Sequence, residues 1–144
     1  MTNIIESGKP LNANALSELE KRLNRKLPND YKEFLLTANG GRPLLDVIDI
    51  EGLPGGSTDV QTIFGVDMSV AVSNILWNVE LLERRGFPRQ LVPIACDSGG
   101  GLFCMRTSES AFGNVIYIDA AREATPVYEV ASDFTGFLNM LHGW

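Results

Sequence analysis

Between residues 91 and 131, four short apolar runs follow one another: "LVPIAC", "LFCMR", "NVIYID" and "VYEVA". Only brief turn-forming stretches separate them. Runs this short, bounded by Gly, Asn, Asp and Pro, suit strands rather than helices. Parallel neighbours would need crossovers of about a dozen residues or more, and the gaps here are shorter. The runs are therefore expected to pair antiparallel, in sequence order.

Helical spacing governs much of the remainder. A first helix is predicted from Asn14 to Asn24, with Leu16, Leu19 and Leu23 on one face and Glu18, Glu20, Lys21 and Arg22 left for solvent. Pro28 suits the opening of a second helix, where a missing N–H costs nothing. Tyr31, Phe34, Leu35 and Ala38 form its apolar stripe, and Asn39-Gly40-Gly41 supplies left-handed residues to end it. "LLDVIDI" has strand character with Leu45, Val47 and Ile48 facing inward and Asp46 and Asp49 breaking a strict alternation, "EGLPGGSTD" reads as a loop, and "VQTIFGV" as a short strand. A third helix is predicted from Val72 to Arg85, with Val72, Ile75, Leu76, Val79 and Leu82 as its stripe and Gly86 as its stop. Ser132 is the predicted cap of a last helix that carries Phe134, Phe137, Leu138 and Leu141. Helices, then a meander, then a helix define an α+β class: a single domain over residues 1–144, with a central, mostly antiparallel sheet flanked by helices.

Charge narrows the function. The chain of 144 residues carries a net charge of −6, which argues against nucleic acid as a direct partner. The excess has an address. Residues 43 to 83 contain no Lys or Arg, but hold Asp46, Asp49, Glu51, Asp59, Asp67, Glu80 and Glu83. The rest of the chain holds 12 bases against 11 acids. Such a segment is either a solvated face or a docking surface for a basic partner. No apolar run approaches the roughly 18 residues that span a bilayer, and the N-terminus lacks a basic start followed by an apolar core. A cytoplasmic protein with no membrane partner is expected.

The stretch "ACDSGGGLFC", Ala95 to Cys104, concentrates residue types used in catalysis. As a phosphate cradle it fails, because no Lys and no helix pattern follow the glycines. Zinc prefers four ligands, and His142 is the sole histidine. A Ser or Cys nucleophile would need the same distant His142 as its base. No cofactor and no metal are expected. A hairpin is left. With Gly99, Gly100 and Gly101 as a three-residue loop, Ser98 would face Leu102 and Cys96 would face Cys104, as reduced thiols among apolar neighbours. Asp97 is the one charge in this loop.

Four strings in order, "LPNDYKEFLLTANGG", "LVPIACDSGGG", "GNVIYID" and "ASDFTGFLNML", resemble the SUKH superfamily, specifically its branch named for a fungal cell-wall assembly regulator. The resemblance runs from Leu11 to Leu141. It departs at Gly101, where Asn is common, and at Ile118, where an aromatic is common; both are expected to alter a contact surface. The resemblance implies a protein-binding role without catalytic residues. Bacterial members are similar to immunity proteins that neutralise a cognate toxin, often a nuclease. The expected partner is thus a basic toxin, recognised by Asp46, Asp49, Glu51, Asp59, Asp67 and Asp97. A regulatory adaptor for a cellular protein is the second reading and a carboxylate-dependent hydrolase the third.

Overall fold

The computed structural model describes residues 3–144. A sheet of five strands, β5 (Thr62–Ile63), β6 (Leu91–Cys96), β7 (Leu102–Arg106), β8 (Val115–Ile118) and β9 (Val127–Ala131), runs antiparallel in that order. The meander is thus as the short turns require. Two small antiparallel pairs lie outside it: β1 (Ile4–Ile5) with β2 (Arg42–Pro43), and β3 (Val47–Asp49) with β4 (Ser57–Asp59). Among the described residues, four helices complete the α+β domain: α1 (Ala13–Leu23), α2 (Asn29–Thr37), α3 (Ile75–Arg84) and α4 (Phe134–Asn139).

The centre of the sheet is covered on both faces. Every residue of β7 and β8 is buried except Arg106, so apolar side chains occupy both sides of the pleat. Aromatic rings tie the helices to this centre. Tyr31 of α2 and Phe134 of α4 lie 4.9 Å apart, and Phe137 of α4 lies 5.2 Å from Phe103 of β7. Both spacings suit tilted ring packing.

Local chemistry sets the helix ends. The Asn12 side chain accepts from Ala15 N–H at 2.8 Å, and Asn24 closes α1 in a left-handed conformation. Glu20, expected in solvent, turns inward instead: its Oε2 accepts from Leu27 N–H at 2.7 Å and fixes the bend between α1 and α2. Asp133, not Ser132, caps α4 by accepting from Gly136 N–H. Asp30 holds α4 to α2, accepting from both the N–H and the hydroxyl of Thr135 at 2.9 Å.

Several expectations shift. Leu45 is 46% exposed, because β3 begins only at Val47 and the chain is still turning before it. Residues 57–59, read as loop, form β4, since pairing with β3 satisfies their backbone. Val72 is 50% exposed in a 3₁₀ turn at Ala71–Ser73, and α3 starts at Ile75. Polar side chains shape that turn: Asn74 accepts from Met68 N–H and donates to the carbonyls of Met68, Val70 and Ala71, while buried Asn78 donates to those of Val72 and Asn74. Helical periodicity does not register such bonds.

One polar atom in the core stands out. The Tyr31 hydroxyl is fully buried with no hydrogen-bond partner among the described residues. A buried unsatisfied hydroxyl costs free energy that a ring without it avoids. Tyr31→Phe is therefore expected to raise stability by about 1 kcal/mol, read as a higher denaturant midpoint at unchanged slope. A loss of stability would show that the hydroxyl has a partner in solution.

Candidate functional site

The glycine stretch is a hairpin turn, as expected, but its interior is a carboxylate. Asp97 is only 5% exposed. Its Oδ1 accepts from Gly99 N–H at 3.0 Å and Gly101 N–H at 2.6 Å. Its Oδ2 accepts from the Thr58 hydroxyl of β4 at 2.8 Å and from the Tyr117 hydroxyl of β8. Burial, and then the hydrogen bond to Asp97, hold the Tyr117 phenol above its ordinary range. Asp59 braces the same turn, accepting from the N–H and hydroxyl of Ser98. Asp97 therefore does not present its carboxylate to a partner, which corrects its place among the recognition residues. It is a structural acceptor, and four donors hold it.

The loop spans residues 97–101 rather than three glycines, because Cys96 pairs with Leu102. A bulge between Pro93 and Ala95 then sets Cys104 opposite Pro93, so the two thiols are not cross-strand partners. Cys104 is fully buried, and burial drives its thiol well above the ordinary range. Cys96 is half-buried, and desolvation followed by the nearby Asp97 charge pushes its thiol up to about 11. Both cysteines are free.

The three glycines differ in why they are glycines. Gly100 has φ of +92° with open space around it. Gly101 lies against the Tyr117 ring, so a Cβ there would overlap the Tyr117 hydroxyl. Gly99 has neither constraint; its nearest neighbour to a Cβ is Asp97 Oδ1 at 3.7 Å. Gly101 and Ile118 are both buried, so neither departure from the family pattern alters a contact surface. Alanine substitution should rank Gly101 as the most destabilising, Gly100 next at about 1 kcal/mol or more, and Gly99 near neutral. Thermal melts of the three variants check this order, and a mild Gly101→Ala would remove Tyr117 from the turn.

Asn39, expected from the sequence as a left-handed residue ending α2, has no positive φ, unlike Gly40 and Gly41, and is a second buried polar hub. Asn39, buried after α2, accepts from Val66 N–H and donates to the carbonyls of Val66 and Lys9. A Cβ at Gly65 would come within 2.7 Å of Asn39 Oδ1. Asn39 thus joins the N-terminal arm to the segment after β5. Only the recurrence of Gly at positions 8 and 65 hints at so close an approach.

The acidic segment divides. Asp59 belongs to the glycine turn, with Asp97 from outside the segment. Asp46 is half-buried, and its carbonyl accepts from Val60 N–H. Asp67 is exposed with φ of +57°, in the turn that Asn39 and Asn74 organise. Asp49 and Glu51 share a location. They line an open groove of about 510 Å³ between the β3–β4 hairpin and β9, where Glu129 joins them. Glu129 lies far outside the acidic segment, so only the fold could place it there. Its carboxylate meets Arg106 at 2.6 and 2.8 Å, while Glu51 is exposed.

His142 falls beyond the end of α4, in a bridge with Val47, rather than in a last helical turn. Its Nδ1 lies 2.7 Å from the Gly143 carbonyl and its Nε2 lies 3.2 Å from Asp49 Oδ1. The Gly143 bond first, and Asp49 second, raise its pKa above the ordinary value. A raised folded pKa means that this pair favours folding below about pH 6.5 and that the contribution is lost as pH rises through the folded pKa. An NMR titration of the imidazole should give a value above about 6.5, reduced by Asp49→Asn. A value at or below the ordinary one would mean the pair does not form in solution.

Among the described residues, no group of three or more His, Cys, Asp or Glu side chains is placed to hold a metal ion, and no helix is long and apolar enough to cross a membrane. Among the described residues, a five-stranded antiparallel sheet flanked by four helices, turned on a glycine hairpin around a buried aspartate, makes an α+β domain. The chain matches the SMI1 / KNR4 family (SUKH-1) over residues 10–140 and belongs to that family. It is 26% identical over 133 residues to the uncharacterized protein YnaB of Bacillus subtilis (strain 168), covering 92% of this chain and 76% of that one. A crystal structure of a protein from Pseudomonas syringae pv. tomato shares the fold, with a TM-score of 0.54 at 21% identity over 89% of this chain and 81% of the other.

Proposed function

We propose that this chain is a non-catalytic protein-binding domain that acts as an immunity protein in the cytoplasm of the producing cell, neutralising a basic toxin by direct association. Membership of the SUKH-1 family supports the class. The observation that carries the choice of a basic partner is the pair of exposed carboxylates, Asp49 and Glu51, on a groove within a segment that has no base. Such a surface raises the encounter rate with a cationic protein and fixes its orientation. A nuclease suits it, since the cationic surface that holds nucleic acid would meet carboxylates instead.

The direct test is co-expression with the product of the adjacent open reading frame. Growth arrest by that product, relieved by this chain, is the expected result. Absence of relief would move the reading to a regulatory adaptor. With the partner in hand, Asp49→Ala together with Glu51→Ala should slow association roughly tenfold at low ionic strength and flatten its salt dependence. The melting temperature should change little. Glu18→Ala with Glu33→Ala, two exposed positions on α1 and α2, is the matched control. Equal effects from the two pairs would reduce the acidic segment to a solvated face.

A further inference from the structure

Among the described residues, the five-stranded sheet stops at β9, which pairs with β8 and with no strand beyond it. The register shows which backbone groups remain open. Asp119 N–H donates to the Pro126 carbonyl at 2.9 Å, so that pair faces inward. Antiparallel alternation then turns Val127 outward, Tyr128 toward β8, and Glu129 outward. Apart from the ladder with β8, no backbone bond reaches Val127 or Glu129 among the described residues. Val127 is 48% exposed. Edge strands are commonly blunted by a charge projecting over them. Here Arg106 of β7, on the far side of β8, engages the Glu129 carboxylate.

The acidic groove lies beside this edge. Glu129 and Val130 of β9 form one side, and Asp49, Glu51 and Gly52 of the β3–β4 hairpin form the other. We propose that β9 takes up an extended segment of a basic partner protein as a sixth strand, its main chain bonded to Val127 and Glu129 and its Lys or Arg side chains set against Asp49 and Glu51. The inference rests on the reading of this chain as a binder of basic proteins, and adds where and how the partner docks. A strand places alternate side chains about 7 Å apart on one face, so one basic face can follow the hairpin side of the groove. Pairing of β9 with β9 of a second copy is the competing occupant. It would bring the Asp49, Glu51 and Glu129 groups of two chains together, each chain carrying −6, and like charges across a strand pair oppose it.

Amide hydrogen exchange on the full chain tests this, with a peptide alternating lysine and valine as the probe and its glutamate–valine counterpart as control. The basic peptide should slow exchange at Val127 and Glu129 on the order of tenfold or more and leave the Tyr128 amide, already bonded to β8, nearly unchanged. The acidic peptide should do nothing. Glu129→Pro removes the outward N–H without breaking a bond to β8 and should abolish binding; Glu129→Gln, which keeps the N–H, should bind measurably. If Glu129→Pro does not fold, the exchange pattern of the unaltered chain decides alone. No binding, binding with protection elsewhere, or a folded Glu129→Pro that binds equally well overturns the edge-strand mode. Protection of Val127 and Glu129 that grows with protein concentration and no peptide overturns it in favour of self-pairing. Growth rescue decides the parent reading separately, so the two can fail independently.

Discussion

The Asp97 carboxylate is the point on which this architecture turns. It takes donors from its own turn, from β4 and from β8, and so joins three parts of the chain that are remote in sequence. Burying a carboxylate is costly unless it is well supplied with hydrogen bonds. Four donors meet that demand, and each is then bound to a geometry. The hairpin must be tight enough to bring two amides to one oxygen. Residue 101 must be glycine, because the Tyr117 ring fills the space beside it. The β3–β4 pair must sit where Thr58 can reach.

Asn39 performs a similar service between the N-terminal arm and the segment after β5, and the two hubs explain how far the sequence could be read. The four strands of the meander and the apolar stripes of α1, α2 and α4 were legible because burial imposes a period, and a period is visible in a single sequence. Asn39, Asn74, Asn78 and Glu20 were not legible in their roles. Each works through side-chain bonds to backbone, from one at Glu20 to four at Asn74, and such bonds leave no periodic trace. Leu45 and Val72 show the converse error: they match an apolar pattern, but lie outside the elements that bury it.

The candidate site was half legible for the same reason. The charge count located Asp49 and Glu51 but gave no means to separate them from Asp59, which holds the glycine turn together with Asp97. Glu129 belongs to the groove only through the path of the sheet, and Arg106 reaches it from two strands away. Residue type marks a carboxylate; only the fold decides whether it faces water or its own chain.

That separation has an evolutionary consequence. The carboxylates that hold the fold (Asp30, Asp59, Asp97 and Asp133) accept bonds from the backbone or side chains of neighbouring segments. Those on the groove, Asp49 and Glu51, make no such backbone bonds among the described residues, and Asp49 meets only the mobile charge of a histidine. Substitution on the groove therefore leaves the framework's stability nearly unaltered, since exposed positions away from caps and buried networks contribute little. A lineage built on this scaffold can vary the charge of the groove by small steps, without any intermediate variant passing below the threshold of folding.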